Sequence, residues 1–135
     1  MIRYMEELRE LDLPDGSYAV FGSGPLAVRG LRENEDLDVL VTHDVWERLA
    51  REHAVTSKDQ RPDTIHINHL QILEVAYWDW RPQISDARLL ISKAERIEGV
   101  PFVRLEHLLD CKMLMTGDKH ARDVGLIQEY LGGQE

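Results

Sequence analysis

Apolar residues recur along this chain in two periods, and the switches between them mark out its elements. Tyr4, Leu8 and Leu11 stand at helical spacing among Glu and Arg, which predicts a helix over residues 2–11 closed by the turn Pro14-Asp15-Gly16. Ser17 to Phe21 reads as a short buried strand stopped by Gly22-Ser23-Gly24, and Pro25 suits the first turn of a short helix over 25–31. A polar loop, Arg32-Glu33-Asn34-Glu35, leads into a strand from Asp36 to Val41. Alternation in that strand places Leu37, Val39 and Val41 on one face and Asp36, Asp38 and Leu40 on the other.

Thr42 or His43 starts the next helix, with Val45, Trp46, Leu49 and Ala50 as its apolar face. Strands over 64–67 and 69–77 follow, joined tightly at Asn68, then a helix over 84–94 and a strand over 95–102 that turns at Gly99. Leu105, Leu108, Leu109, Lys112 and Met115 mark one C-terminal helix, and Ala121, Val124, Ile127 and Leu131 a second, separated by Gly117-Asp118. Neither a repeat nor a linker divides the chain, so residues 1–135 are expected to form one domain. The order of elements predicts an α/β or α+β fold: a small mixed β-sheet with flanking helices and a C-terminal helix pair.

Composition narrows the partners. A net charge of −9 repels long polyanions, so duplex nucleic acid is not an expected partner. A small anion stays compatible, because a bound divalent cation reverses the sign of a site locally. The single cysteine, Cys111, allows neither an internal disulfide nor a cysteine-based zinc site, and reads as a buried helix residue. The N-terminus shows no basic region followed by an apolar core, and no apolar run approaches the ~20 residues of a membrane span. The expectation is a cytoplasmic protein without membrane attachment.

Asp36-Leu37-Asp38 is the most informative tripeptide. Side chains at i and i+2 of a strand share a face, ~6.5 Å apart along the backbone, so these carboxylates can converge on one cation. Magnesium prefers oxygen ligands and commonly takes one or two carboxylates together with phosphates and water. The competing reading is a strand with an acidic exposed face. Asp and Glu are poor strand formers, however, and here they interrupt a run that otherwise reads as core.

Gly22-Ser23 lies where a strand ends and a helix begins. Glycine lets the backbone approach a phosphate, the helix start offers N–H groups, and Ser23 adds a hydroxyl. The turn has neither the Walker ending nor the Rossmann glycine spacing, and alone it is an ordinary strand-to-helix turn.

Taken together, Gly22-Ser23, the helix Pro25–Gly30 with Arg29, and Asp36-Leu37-Asp38 opening a strand resemble the nucleotidyltransferase superfamily of the polymerase-beta type, in particular its small bacterial members. The resemblance implies a nucleotidyltransferase-like domain in which Gly22, Ser23 and Arg29 contact nucleotide and Asp36 and Asp38 bind Mg2+. Glu35 departs from the family's usual Ser or Thr and adds charge beside the pair. The family usually has a third carboxylate on a later strand, completing the metal site and helping to deprotonate the attacking hydroxyl; Glu74 is the matching candidate, and Asp79 a weaker one. By alternation Ile72, Glu74 and Ala76 share one face and Leu73 and Val75 the other.

The stretch from Leu105 through Asp123 resembles the family's C-terminal pattern of leucine-rich helix, lysine, glycine and K-D-x-x-D, with His120 where Asp is frequent. Lys112 lies on the apolar stripe of its helix, where a lysine snorkels or finds a partner. It is expected to reach a phosphate, as is Lys119, which can also pair with Asp123 at i,i+4. His66 and His69 have no third ligand at useful spacing and receive no metal, while Trp78 and Trp80 read as core caps or contact residues.

The implied activity is Mg2+-dependent transfer of a nucleoside monophosphate from a nucleoside triphosphate, ATP among them, to an acceptor hydroxyl on a small molecule or protein. The alternative is a catalytically inactive nucleotide-binding or antitoxin-like interaction protein of the same fold. So short a chain has little room for a separate acceptor domain, and a homodimer or partner is the expected means of completing the cleft.

Overall fold

The computed structural model describes residues 2–57, 63–74, 88–113 and 118–133. Among them, seven strands form one mixed sheet in the order β3-β4-β5-β2-β1-β7-β6. The strands are β1 Tyr18–Phe21, β2 Leu37–Val41, β3 Val55–Thr56, β4 Thr64–Ile67, β5 Leu70–Glu74, β6 Glu95–Ile97 and β7 Val100–Phe102. The helices are α1 Met5–Glu10, α2 Gly24–Ala27, α3 His43–Glu52, α4 Arg88–Ser92, α5 Leu105–Met113 and α6 Asp118–Gly132. The expected mixed sheet with flanking helices is thus observed, with β3 added as a short edge strand.

Strand β2 sits between β1, to which it is antiparallel, and β5, to which it is parallel. Its alternation sorts the core into two layers. Leu37, Val39 and Val41 pack with Val20, Ile65, Leu70 and Ile72 against Met5 and Leu8 of α1 and Val45 and Leu49 of α3. On the opposite face Leu40 joins Ala19, Phe21 and Leu73 beneath α4, α5 and α6, which contribute Leu90, Leu105, Leu108 and Ile127. Burying a leucine or isoleucine side chain stabilises by about 1.5–3 kcal/mol, so the two layers dominate the folding free energy.

Turn chemistry sets several boundaries. Asn68 occupies the left-handed region at φ 53° in the β4–β5 turn, and asparagine tolerates it through its short polar side chain. Glu98 and Gly99 are both at positive φ, 53° and 80°, as the two-residue β6–β7 hairpin demands. The predicted strand over 95–102 is therefore a hairpin. Helix α2 stops well short of residue 31: Gly30 takes φ 75°, its N–H reaches Ala27 O at 3.0 Å, and Leu31 N reaches Leu26 O at 3.0 Å. This left-handed glycine cap satisfies the last carbonyls and turns the chain towards β2.

Candidate functional site

The site begins where β1 hands over to α2. Phe21 pairs with Asp38 across the antiparallel β1–β2 ladder, so the next residue, Gly22, arrives beside the Asp38 side chain. Gly22 has φ 69°, and a Cβ built on it would overlap Asp38 Oδ2 and lie 3.2 Å from its Cγ. Only a residue without a side chain allows the turn to pack on the carboxylate so closely. The two halves of the sequence motif therefore meet in space.

Ser23 is buried, and its backbone oxygen accepts from Leu26 N at 3.1 Å and Ala27 N at 2.9 Å. Its side chain makes no capping bond to α2. With four residues, α2 is too short for much of a dipole, so any anion contact here rests on local groups and not on helix polarity.

Asp36 precedes the first residue of β2 and is exposed, while Asp38 is half-buried within the strand. The backbone on both sides of Asp36 is tied down. Asn34, only 1% exposed, donates from Nδ2 to Asp36 O and to Arg3 O, each at 3.0 Å, and accepts from Arg3 N at 2.9 Å. Leu37 N donates to His69 O at 3.0 Å, and His69 N in turn donates to Glu7 Oε1 at 2.9 Å. The N-terminal segment thus holds the entry to β2 at two points. Asn34 was not among the expected site residues; a polar loop contains nothing that singles out which side chain turns inward.

Glu74 does not join this pair. It lies opposite Val41 in the β2–β5 register, three residues beyond Asp38, or about 10 Å along the strand. Its parity is that of Leu70 and Ile72, whose side chains pack under α1 and α3, whereas Asp38 shares the parity of Leu40 on the other face. The Glu74 carboxylate instead pairs with His43 Nδ1 at the start of α3, and His43 Nε2 lies 3.0 Å from Glu47. Hydrogen bonding to Glu74 foremost, then its charge, holds the imidazole above the usual histidine range; burial opposes them, and Glu47 adds a lesser upward contribution. The expected third metal ligand is therefore a partner of His43. Asp79 lies outside the described residues.

Lys112 is likewise committed elsewhere. It is 3% exposed, and its Nζ donates to Asp123 Oδ2 at 2.7 Å; Asp123, 1% exposed, takes Arg32 Nη1 on its other oxygen at 2.7 Å. Burial pushes the Asp123 carboxyl up, but Lys112 and Arg32 together outweigh it and hold the group below the usual aspartate range. The lysine on the apolar stripe has found a buried partner and not a cleft. Arg29 is also engaged: it donates to Pro25 O at 2.6 Å, pairs with Glu95, and lies 5.8 Å from the centre of the Tyr130 ring. It fastens the segment after α2 to β6 and α6. The Lys119 side chain lies outside the described residues.

Asp36 and Asp38 are oxygen-donor carboxylates two residues apart where β2 begins, Asp38 against the glycine turn, and this is the type of ligand a hard divalent cation takes. Among the described residues no group of three or more His, Cys, Asp and Glu side chains is placed to hold a metal. No helix of the described residues is long and apolar enough to cross a membrane. No protein-family model matches the chain, and no curated protein matches it at a significant level.

Proposed function

We propose that this chain is a nucleotidyltransferase-like protein that binds a nucleoside triphosphate with Mg2+ at the corner formed by Gly22, Ser23, Asp36 and Asp38. The observation that carries the reading is the packing of Gly22 on the Asp38 carboxylate, which unites an open backbone turn with a potential cation ligand. Asp38 supplies a charge fixed in the strand, and Asp36 supplies a second, held by the Asn34 bond to its carbonyl. Ser23 offers its hydroxyl to a phosphate oxygen. A bound Mg2+ would neutralise phosphate charge that this acidic chain otherwise repels.

Binding without transfer is favoured over full transferase activity by the position of Glu74, which faces away from the pair and is taken by His43. Among the described residues no third carboxylate joins Asp36 and Asp38 to accept the proton of an acceptor hydroxyl. The decisive experiment combines calorimetry of a non-hydrolysable nucleoside triphosphate, with and without Mg2+, and transfer of labelled nucleotide. Wild type should bind only with Mg2+, and Asp38→Asn should lose that binding. Equal binding by both proteins refutes the site; robust transfer by wild type that Asp38→Asn abolishes keeps the site and restores the transferase reading.

A further inference from the structure

An open groove of about 680 Å3 lies between residues 2–7, the end of α2 with the turn after it, and the β6–β7 turn. Its apolar lining is the fringe of the core layer under α1: Ile2, Val28 and Ile97 are half-buried and Met5 is buried. Hydrogen bonds brace the walls. Asn34 holds Arg3 by both its N–H and its carbonyl, which places Ile2 and Tyr4 on either side of a fixed point. The Tyr4 ring stacks on His69 with centroids 4.1 Å apart, and Arg9 Nη2 donates to Glu98 O at 3.2 Å, tying α1 to the β6–β7 turn. At Gly30 a Cβ would meet nothing within 4 Å, so that wall leaves space. A groove braced in the free protein costs little ordering when it is filled.

The polar lining is acidic. Glu6, Glu7 and Glu98 border the groove, and the described lining residues include no lysine or arginine. The His69 backbone N–H foremost, then its imidazole, hold the Glu7 carboxyl below the usual glutamate range against burial, so it is ionised at neutral pH. Arg9 pairs with Glu6. Even with Arg9 and a charged His69 set against them, the three acids leave a negative balance over an apolar surface.

We propose that this groove binds a small organic ammonium ion with an apolar body. Aliphatic side chains offer a bare metal ion no oxygen ligands, and the acids repel anions. The volume falls within the roughly 300–1,000 Å3 of small-molecule pockets. The apolar body supplies affinity by leaving water, and the ammonium supplies selection through the acids. Gly22, Ser23, Asp36 and Asp38 line no part of the groove, so this proposal and the nucleotide reading fail separately.

The test is an NMR titration of the full chain at neutral pH with three probes that share a ring: 2-phenylethylammonium, 2-phenylethanol and 3-phenylpropionate. The ammonium should shift the backbone amides of Met5, Val28, Ile97 and Glu98. The alcohol should bind about threefold to fivefold more weakly, the effect of an exposed ion pair, and the carboxylate more weakly still. Glu98→Gln, at an exposed turn position, should weaken the ammonium by about threefold and leave the alcohol unchanged. Glu52→Gln, an exposed acid on α3 outside the lining, should change neither. Equal affinity for the three probes, shifts away from the groove, or equal effects of the two substitutions overturn the proposal, and the probe series decides it without any variant. Groove shifts on raising protein concentration alone assign the surface to a second copy and overturn it. So does at least about tenfold tighter binding of the acetylated peptide Leu-Lys-Leu-Lys-Leu, which assigns it to a basic protein segment.

Discussion

Replacing Gly22 with alanine separates the cost of backbone geometry from the cost of crowding Asp38. A left-handed conformation costs a residue with a Cβ roughly 1–2 kcal/mol. Gly22 and Gly30 share this conformation, at φ 69° and 75°, but a Cβ at Gly30 meets nothing within 4 Å. Gly30→Ala is thus the internal reference and should lose about 1–2 kcal/mol by urea denaturation followed by circular dichroism. Gly22→Ala carries the same backbone cost and must also displace Asp38 Oδ2, with Cγ at 3.2 Å and Cβ at 3.3 Å left in tight contact. The carboxylate is the free end of a short side chain and can swing aside, so the added stability loss should stay near about 1 kcal/mol, at the lower end of overpacking costs. On the proposed function the loss of binding should be larger, because a swung Asp38 leaves the corner where the cation is proposed to sit. Calorimetry should show Gly30→Ala binding Mg2+–nucleotide as wild type does and Gly22→Ala losing at least about tenfold in affinity, which is only ~1.4 kcal/mol. Matching stabilities and matching affinities for the two variants would refute the reasoning.

The Lys112–Asp123 pair, almost fully buried, gives a second prediction: Asp123→Asn strands a buried ammonium and should cost about 3–5 kcal/mol in urea denaturation, while Lys112→Met with Asp123→Leu should recover most of it. Recovery is expected because Arg32, more exposed than either, can turn to water. The same pair predicts acid sensitivity: with its folded value depressed, Asp123 stabilises fully above the ordinary ~3.9 and loses that contribution as pH falls through the lower folded value, which Asp123→Asn should abolish in a stability–pH profile. His43 has the opposite sign, contributing fully below the ordinary ~6.5 and losing its contribution as pH rises through its raised folded value. An NMR titration should place His43 above that ordinary value, and Glu74→Gln should bring it down.

Local patterns made the elements legible, but pairing and partner choice were not. Val45 and Leu49 announce the buried face of α3, and the parity of Leu37, Val39 and Val41 announces which residues Asp38 opposes. Nothing along the chain reveals that Leu37 aligns with Leu70, and that register sends Glu74 to the far face and brings Gln71 beside Asp38. Lys112 shows the same limit. Its place on an apolar stripe correctly signals burial, yet a phosphate and a buried aspartate on the next helix satisfy that signal equally well. Glycine conveyed more, since Gly22 stands where a turn was expected, although its contact with Asp38 needed the β1–β2 pairing to emerge.

The joining of β1 to β7 has a consequence for how the protein is made. Val20 pairs in parallel with Phe102, and Val103 N donates to Val20 O at 2.9 Å, so one side of β1 waits for a strand from late in the chain. On the ribosome, β1 to β5 are all made before β7, so wherever they pair early the outer edge of β1 presents unsatisfied N–H and C=O groups until β7 follows. A chain released before residue 100 should therefore keep a sticky edge next to the glycine turn and associate with its own kind, whereas the longer chain closes that edge itself.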